Sequence, residues 1–505
     1  MVALGGGIAP AERTTLPDCT PQPKIQWLES SHQKARTRPG AETSHKFART
    51  GPGLQNMNEP IISVSGLRGI VGETLTPEVA MRYVNAFAAT LPVGRIVIAR
   101  DGRATGRMLA DAVRAGLCAA GRRVIDADVA ATPTTGVLVR QLKCAGGIQI
   151  SASHNPSEYN GIKLLGDDGR VISARAGQRV LDAYRENEMN WVPHEEVGSV
   201  EECADTVSGH CALVVGTVNV DLIRPAKLKV LLDSNHGAGS LVGRQLLESL
   251  GCQVTLVGET PDGMFAHGAE PIAENLQTIA ERVRDLRCDV GFCQDPDADR
   301  LAVIDETGRF IGEEYTLALC LNHVLQYRKG PVVTNCSTSR MSEDLAAKYD
   351  APFFRSPVGE ANVTAGMQEH DAVFGGEGNG GPIDPRVGYI RDSFVGMAQI
   401  LEAMAGRQMK VSELVAELPH YEIHKTKVSL AGDRIPAALD ALEKHFADAQ
   451  AGRLDGLRLD WPGAWLLIRG SNTEPIVRII AEAKSLKETK RLCDESARVV
   501  GKLRK

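Results

Sequence analysis

Three stretches of this chain repeat one plan, and no other feature limits its fold as tightly. "GRIVIARDGRATGRMLADAVRAGLCAAGRRVIDAD" begins at Gly94, "LKVLLDSNHGAGSLVGRQLLESLGCQVTLVG" at Leu228 and "GPVVTNCSTSRMSEDLAAKYDAPFFRSP" at Gly330. Each reads as a strand rich in β-branched residues or leucine, then a polar loop, an amphipathic helix and a second strand. Helical spacing shows in Leu109, Val113 and Leu117 of the first copy and in Val242, Leu246 and Leu250 of the second, with Leu345 in the third. Strand, helix and strand with one crossover imply parallel pairing and helices layered on a sheet. Three copies predict three related α/β domains. The copies share little identity, so ordinary α/β alternation without true repetition stays open as a second reading.

At 505 residues the chain is too long for one core. Its tail differs from the repeats. "AWLLIRGSNTEPIVRIIAEA" reads as two strands around a polar turn, followed by the helix "SLKETKRLCDESARVVGKLRK". The expected fold class is therefore α/β: three related α/β domains and a smaller C-terminal α+β domain. The expected divisions are 58–206, 207–310, 311–420 and 421–505. Residues 1–57 are rich in Pro, Thr, Arg, Gly and Gln without sustained periodicity, and read as a disordered extension. "VALGGGIA" is short and lacks a basic lead-in, which makes it a poor signal peptide, and Met57 is an alternative start.

Charge and cysteine content narrow the function. A net charge of -6 and aromatics at 4% argue against a nucleic-acid binder, which needs a basic face and stacking platforms. The eleven cysteines are scattered, and the close pairs Cys203/Cys211 and Cys288/Cys293 lack a second pair at zinc spacing. Reduced thiols in a cytoplasmic protein are the expectation. No apolar stretch approaches the roughly 20 residues that span a bilayer, so no membrane partner is expected.

Four stretches carry chemistry. In "SASHNP" Ser153 follows an apolar run, and read alone it is either a nucleophile or part of a loop that caps a following helix, since Asn155–Pro156 suits a helix or turn start. There is no G-x-S-x-G elbow. In "DPDADR" the carboxylates of Asp295, Asp297 and Asp299 share one tight loop. Unit charges about 4 Å apart repel by about 4 kcal/mol at an effective dielectric near 20, which favours a cation among them. Oxygen ligands select Mg²⁺ or Ca²⁺. An EF-hand fails: Glu306 stands at the twelfth position, but Arg300 occupies the glycine position and the flanks read as strands. A solvated acidic turn is the alternative. "RGSNTEP" offers Arg469, Ser471, Asn472 and Thr473 as an anion cradle, or else forms an ordinary polar turn. "GGEGNGG" permits close approach by a ligand, with Glu377 and Asn379 placed to bond sugar hydroxyls, or else is a flexible glycine loop. Together a serine, a metal site and a separate phosphate cradle meet the needs of phosphoryl transfer.

At this point the chain resembles the α-D-phosphohexomutase family. "SASHNP" resembles its phosphoserine loop, "DPDADR" its metal loop, "GEGNGG" its sugar-binding loop and "RGSNTEP" its phosphate-binding loop, in the family's order. "SGLRG", "PDGMF…AEPIAENL" and "SPVGEANV", which contains Gly359, are lesser matches. The likeness runs from about Ile61 to the C-terminus. It implies four domains around a cleft and one Mg²⁺ per chain, held by Ser153, Asp295, Asp297 and Asp299. Ser153 would carry the phosphoryl group through a hexose bisphosphate that is both intermediate and activator. Arg469, Ser471, Asn472 and Thr473 would hold the phosphate that is not reacting. Gly359, Glu377, Asn379 and Arg300 would meet the sugar phosphate, and Arg68, His154, Lys163 and Arg300 would steady charge or move the hydroxyl proton.

One departure stands out. Many family members carry Ser and then His where this chain has Asn379 and Gly381, which removes one proton-transfer group and adds weight to Lys163. The "GEGNGG" form resembles the archaeal-type branch, phosphoglucosamine mutase, an enzyme that feeds UDP-N-acetylglucosamine synthesis. Glucose- or mannose-phosphate mutases are the alternative. A non-catalytic sugar-phosphate-binding protein and a Mg²⁺-dependent phosphatase remain as other classes. The expected partner is a small sugar phosphate, and the expected assembly a monomer or homodimer.

Overall fold

The repeated plan folds, in a computed structural model describing residues 60–63, 66–470 and 475–503, into three sheets of one topology. The first sheet holds β1 (Ile61–Ser63), β2 (Gly66–Ile70), β3 (Ile96–Arg100), β4 (Val124–Val129), β5 (Gly146–Ile150), β6 (Tyr159–Leu165) and β7 (Val200–Glu202). The second holds β8 (Lys229–Asp233), β9 (Gln253–Val257), β10 (Val290–Gln294) and β11 (Leu301–Asp305). The third holds β12 (Val332–Asn335), β13 (Phe353–Ser356), β14 (Phe374–Glu377) and β15 (Gly381–Ile383).

In each sheet the first strand of the plan sits centrally and pairs in parallel with the second and the third: β3 with β4 and β5, β8 with β9 and β10, β12 with β13 and β14. The third strand then turns back through a short connection and pairs antiparallel with a fourth: β5 with β6, β10 with β11, β14 with β15. These three connections, 151–158, 295–300 and 378–380, contain "SASHNP", "DPDADR" and the tip of "GEGNGG". Each motif is thus the tip of the same hairpin in its own sheet.

The local reasons are those of any buried parallel strand. Ile96, Val97 and Ile98 of β3, and Val230, Leu231 and Leu232 of β8, are all buried, because helices cover both faces. Helix Gly106–Ala119 turns Leu109, Val113 and Leu117 inward, helix Gly239–Ser249 turns Val242 and Leu246 inward, and helix Met341–Lys348 buries Leu345. One apolar core then runs between the second and third sheets. It gathers Leu232, Phe292 and Phe374 from the strands with Leu317 of helix Glu313–Tyr327 and Phe394 and Leu401 of helix Ser393–Arg407.

The C-terminal unit is different, as its sequence indicates. Strands β16 (Glu422–Ser429), β17 (Gln450–Gly452), β18 (Leu457–Trp461), β19 (Ala464–Gly470) and β20 (Ile476–Ala483) form an antiparallel sheet in the order β16-β20-β19-β18-β17. Helices Ile435–His445 and Leu486–Gly501 bury Leu439, Leu442, Leu492 and Cys493 against Leu466, Ile468 and Ile479. The strands at 450–452 and 457–461 and the helix between them and β16 carry no signal used above.

One open alternative is decided. Asn155–Pro156 opens a turn and no helix follows. The Tyr159 N–H donates to the Pro156 carbonyl at 3.1 Å and the chain enters β6. Ser153 therefore has no helix to cap. The segment 1–57 and Met57 lie outside the described residues. Among the described residues the cysteines are free thiols, and no helix is long and apolar enough to cross a membrane.

Candidate active site

The three hairpin tips converge below one cleft of about 990 Å³, lined in part by Arg68, Lys163, Arg300, Gly359, Glu377, Asn379, Arg391 and Arg469. Ser153 and the three aspartates do not line the open space. They are fully buried beneath it, covered by the cationic side chains of the floor.

Ser153 adopts φ 51°, a left-handed conformation that a non-glycine residue holds only when its surroundings fix it. What fixes it is the segment Asp101–Arg103, just after β3. The buried Arg103 guanidinium donates to four carbonyls of the loop: Ser153 at 2.7 Å, Asn155 at 2.6 Å, Pro156 at 2.6 Å and Tyr159 at 3.0 Å. Asp101 holds Arg103 at 3.2 Å and accepts from the Ser151 hydroxyl at 2.6 Å, and that hydroxyl oxygen accepts the Ser153 N–H at 2.9 Å. The Ser153 hydroxyl then donates to Asp295 Oδ2 at 2.6 Å. His154 Nδ1 lies 3.4 Å from the same hydroxyl. Burial, with Arg300 and Arg68 beside it, pushes the His154 imidazole down to about 2, so the ring is neutral. Arg68, on β2, donates to Asn155 Oδ1 at 3.2 Å.

Asp295, Asp297 and Asp299 bring one carboxylate oxygen each to within 4.8 Å of the others. Lys163 of β6 donates to Asp297, and to Asp299 Oδ2 at 2.9 Å. The Thr132 hydroxyl also donates to Asp297. Arg391 reaches Asp299 Oδ2 at 2.7 Å, and the Arg300 N–H reaches Asp295 Oδ1 at 3.1 Å. Burial and the two neighbouring carboxylates push Asp295 well above the usual carboxylate range. Burial would raise Asp299 as well, but Arg391, Lys163 and Arg300 outweigh it and hold Asp299 below that range. Burial also opposes the charge of Lys163, and Asp297 and Asp299 overcome it, so the ammonium persists beyond its ordinary range. Asp297 Oδ1 and Asp299 Oδ1 are buried with no hydrogen-bond partner. Two orphaned oxygens in a set of hard carboxylate donors fit a hard divalent cation.

On the third tip, Glu377 is buried among donors. Its Oε1 accepts from Asn335 Nδ2 at 2.7 Å and the Gly359 N–H at 3.2 Å, and its Oε2 from Arg391 at 2.9 Å and Asn379 Nδ2 at 3.2 Å. Gly359 starts helix Glu360–Glu369 with φ 121°, which requires glycine. Asn379 Oδ1 has no partner. Arg469, in β19, lies 3.3 Å from Asp455, which also accepts the Val358 N–H at 2.9 Å. Ser471, Asn472 and Thr473 lie outside the described residues.

The fold therefore gathers Ser153, His154, Lys163, Arg68, the three aspartates and Arg300 around one point, with Gly359, Glu377, Asn379 and Arg469 further along the cleft. Sequence reading missed Arg391, Glu360, Asn335, Thr132 and the Asp101–Arg103 anchor. Two of these had a local signal. "DGR" follows the first strand of the first repeat, and "RDSF" places Asp392 as the N-cap of a long apolar helix, where it accepts the Phe394 N–H at 2.9 Å.

Three sheets that share one four-strand topology, an antiparallel α+β unit and a cleft over buried carboxylates define a multidomain α/β protein with a buried charged site. Comparison with known proteins makes the class specific. Four domain families of phosphoglucomutase/phosphomannomutase match in order: alpha/beta/alpha domain I over 60–191, domain II over 209–308, domain III over 313–421 and the C-terminal domain over 426–499. A Thermococcus kodakarensis protein named phosphoglucomutase/phosphomannomutase is 38% identical over 430 residues, 83% of this chain and 94% of its own. A Methanopyrus kandleri protein named probable phosphoglucosamine mutase is 33% identical over 441 residues, 86% of this chain and 96% of its own. The crystal structure of a phosphoglucomutase/phosphomannomutase family protein from Burkholderia thailandensis superposes with a TM-score of 0.76 at 26% identity, covering 88% of this chain and 98% of that one. The chain belongs to the phosphoglucomutase/phosphomannomutase family, the α-D-phosphohexomutases.

Proposed function

We propose that this chain interconverts a hexosamine 6-phosphate and its 1-phosphate, as a phosphoglucosamine mutase feeding UDP-N-acetylglucosamine synthesis in the cytoplasm. The observation that carries the reading is the Ser153 hydroxyl, 2.6 Å from Asp295 in a cluster of three buried carboxylates, under a cleft that Glu377 and Arg469 share. In this reading Ser153 carries a phosphoryl group. A sugar hydroxyl attacks it, the serine O–P bond breaks as the new O–P bond forms, and the result is a hexose bisphosphate. The bisphosphate turns over in the cleft and returns its other phosphate to Ser153. Mg²⁺ held by Ser153, Asp295, Asp297 and Asp299 would supply positive charge against the transferring phosphoryl oxygens.

The chain's own groups do the rest. Lys163, Arg68 and Arg300 surround the transfer point with donors. Lys163, whose ammonium Asp297 and Asp299 sustain, steadies charge and donates a proton to the serine oxygen as its O–P bond breaks, and His154 stays neutral beside two guanidiniums. Arg469, with Ser471, Asn472 and Thr473, holds the idle phosphate, and Gly359, Glu377 and Asn379 meet the sugar. The four divisions near 206, 310 and 420 assign one such task to each domain, in a monomer or homodimer.

A second reading, with glucose or mannose phosphate as substrate, is favoured by the name of the Thermococcus relative. The test is direct. Purified protein with Mg²⁺ and a trace of hexose 1,6-bisphosphate is given glucosamine, glucose and mannose 6-phosphates in turn. The fastest formation of 1-phosphate names the substrate, and no 1-phosphate from any of them sinks the proposal.

A further inference from the structure

Arg391 links several carboxylates of the cleft. It is buried, and its guanidinium meets three carboxylates: Asp299 Oδ2 at 2.7 Å, Glu377 Oε2 at 2.9 Å and Glu360 Oε2 at 3.3 Å. Its own backbone N–H donates to Glu360 Oε1 at 2.7 Å. One fork thus joins the "DPDADR" tip to the "GEGNGG" tip, a geometry that a planar guanidinium provides and a point charge does not. The residue after Arg391 is pinned by buried side chains of two other helices. The next residue, Asp392, caps helix Ser393–Arg407 and meets His210 Nε2 at 2.8 Å, and His210 Nδ1 meets the Thr134 hydroxyl at 2.9 Å, all of them buried.

Gly381 explains why this arrangement excludes its alternative. Gly381 does not have a positive φ, so its backbone does not require glycine. Space does. A Cβ there would overlap the Arg391 stem, lying 2.9 Å from Cγ and 3.1 Å from Cβ, and closer still to Cδ. A side chain at 381 and the aliphatic stem of Arg391 would occupy the same volume, so a residue larger than glycine at 381 displaces the arginine from this pose.

We propose that Arg391 is a positioning residue for sugar binding, acting through Glu377, and that it forms with Gly381 a mutually exclusive pair. Arg391 holds one oxygen of Glu377 and ties that carboxylate to the metal-loop residue Asp299. The carboxylate then meets the sugar in a fixed pose. This inference rests on the mutase reading above.

The test uses the full-length protein and two probes, a hexose 6-phosphate and inorganic phosphate. Arg391→Gln is expected to weaken hexose 6-phosphate binding and raise its KM by roughly 10- to 100-fold, the scale of one charge-assisted contact, while inorganic phosphate still binds as in the wild type. Arg391→Lys, which keeps charge without the fork, is expected to fall between, and it serves if the glutamine variant does not fold. Gly381→Ala is expected to reproduce the loss of Arg391→Gln by displacing the stem. In an Arg391→Ala background the same alanine is expected to add little, a non-additive cycle. Unchanged hexose phosphate affinity in Arg391→Lys and Arg391→Gln, a harmless Gly381→Ala, or strictly additive losses would each overturn the inference. Parallel loss of both probes would reduce Arg391 to a structural role and also overturn it. A wild type without mutase activity would instead overturn the functional reading itself.

Discussion

At the scale of single residues, the site is a set of charges that only their neighbours make tolerable. Ser153 is the residue on which the proposed chemistry turns. Ser153→Ala is expected to reduce turnover roughly a thousandfold or more, since the group that carries the phosphoryl is gone. Incubation with labelled hexose bisphosphate should label the wild type and leave the variant unlabelled. Label on the variant would place the carrier elsewhere. His154 sets an acid limit. Its folded value of about 2 lies below the ordinary 6.5, so the unfolded chain binds the proton more readily. Its contribution is intact above about pH 6.5 and is lost as pH falls toward the folded value, by at most about 1.4 kcal/mol per pH unit. Denaturant titrations of the metal-free, unphosphorylated protein between pH 7 and pH 4.5 should show that slope, and His154→Gln should flatten it. Equal slopes in both proteins would contradict it.

At the scale of elements, the tip 151–158 is held from outside. Arg103 ties four of its carbonyls to the end of β3, and Asp101 keeps Arg103 in place. Removing one partner of a buried ion pair costs about 3–5 kcal/mol. Arg103→Ala is expected to lose stability on that scale and to speed hydrogen exchange at the Ser153 amide. A variant as stable as the wild type would show that the tip holds itself. Much at this scale is legible in the sequence. Leu109, Val113 and Leu117, like Val242 and Leu246, repeat at helical spacing because one face of each helix packs on a sheet. The continuous apolar runs of β3 and β8 reflect burial on both faces. The contiguous motifs were legible for the same local reason, with Asp295, Asp297 and Asp299 standing within five residues. Arg391 was not, because its partner Asp299 lies 92 positions away and nothing in either neighbourhood announces the contact. Asn335 and Glu360 reach Glu377 and Arg391 in the same long-range way. Asn155–Pro156 left two readings open because proline starts turns and helices alike, and only the pairing of β5 with β6 decides between them.

At the scale of the whole molecule, the second hairpin tip is expected to couple cation binding to stability. Its orphaned Asp297 and Asp299 oxygens sit between units that share a core. A cation that binds only the folded chain stabilises it by about 2.7 kcal/mol at a hundred times its dissociation constant. Adding Mg²⁺ is expected to raise the unfolding midpoint in a concentration-dependent way, and a chelator to reverse it. Asp297→Asn should abolish the rise. A rise that survives Asp297→Asn would place the ion elsewhere.

The three hairpins have a further consequence for how such a molecule can change. Each tip is aimed at the cleft by the paired strands of its own hairpin. The Asn379 side chain can therefore change to suit another sugar, while the Gly380 carbonyl keeps its bond from the Leu301 N–H at 2.8 Å. The tie through Arg391 is one exception. It is where a change of diet, otherwise confined to one module, would be felt in the next.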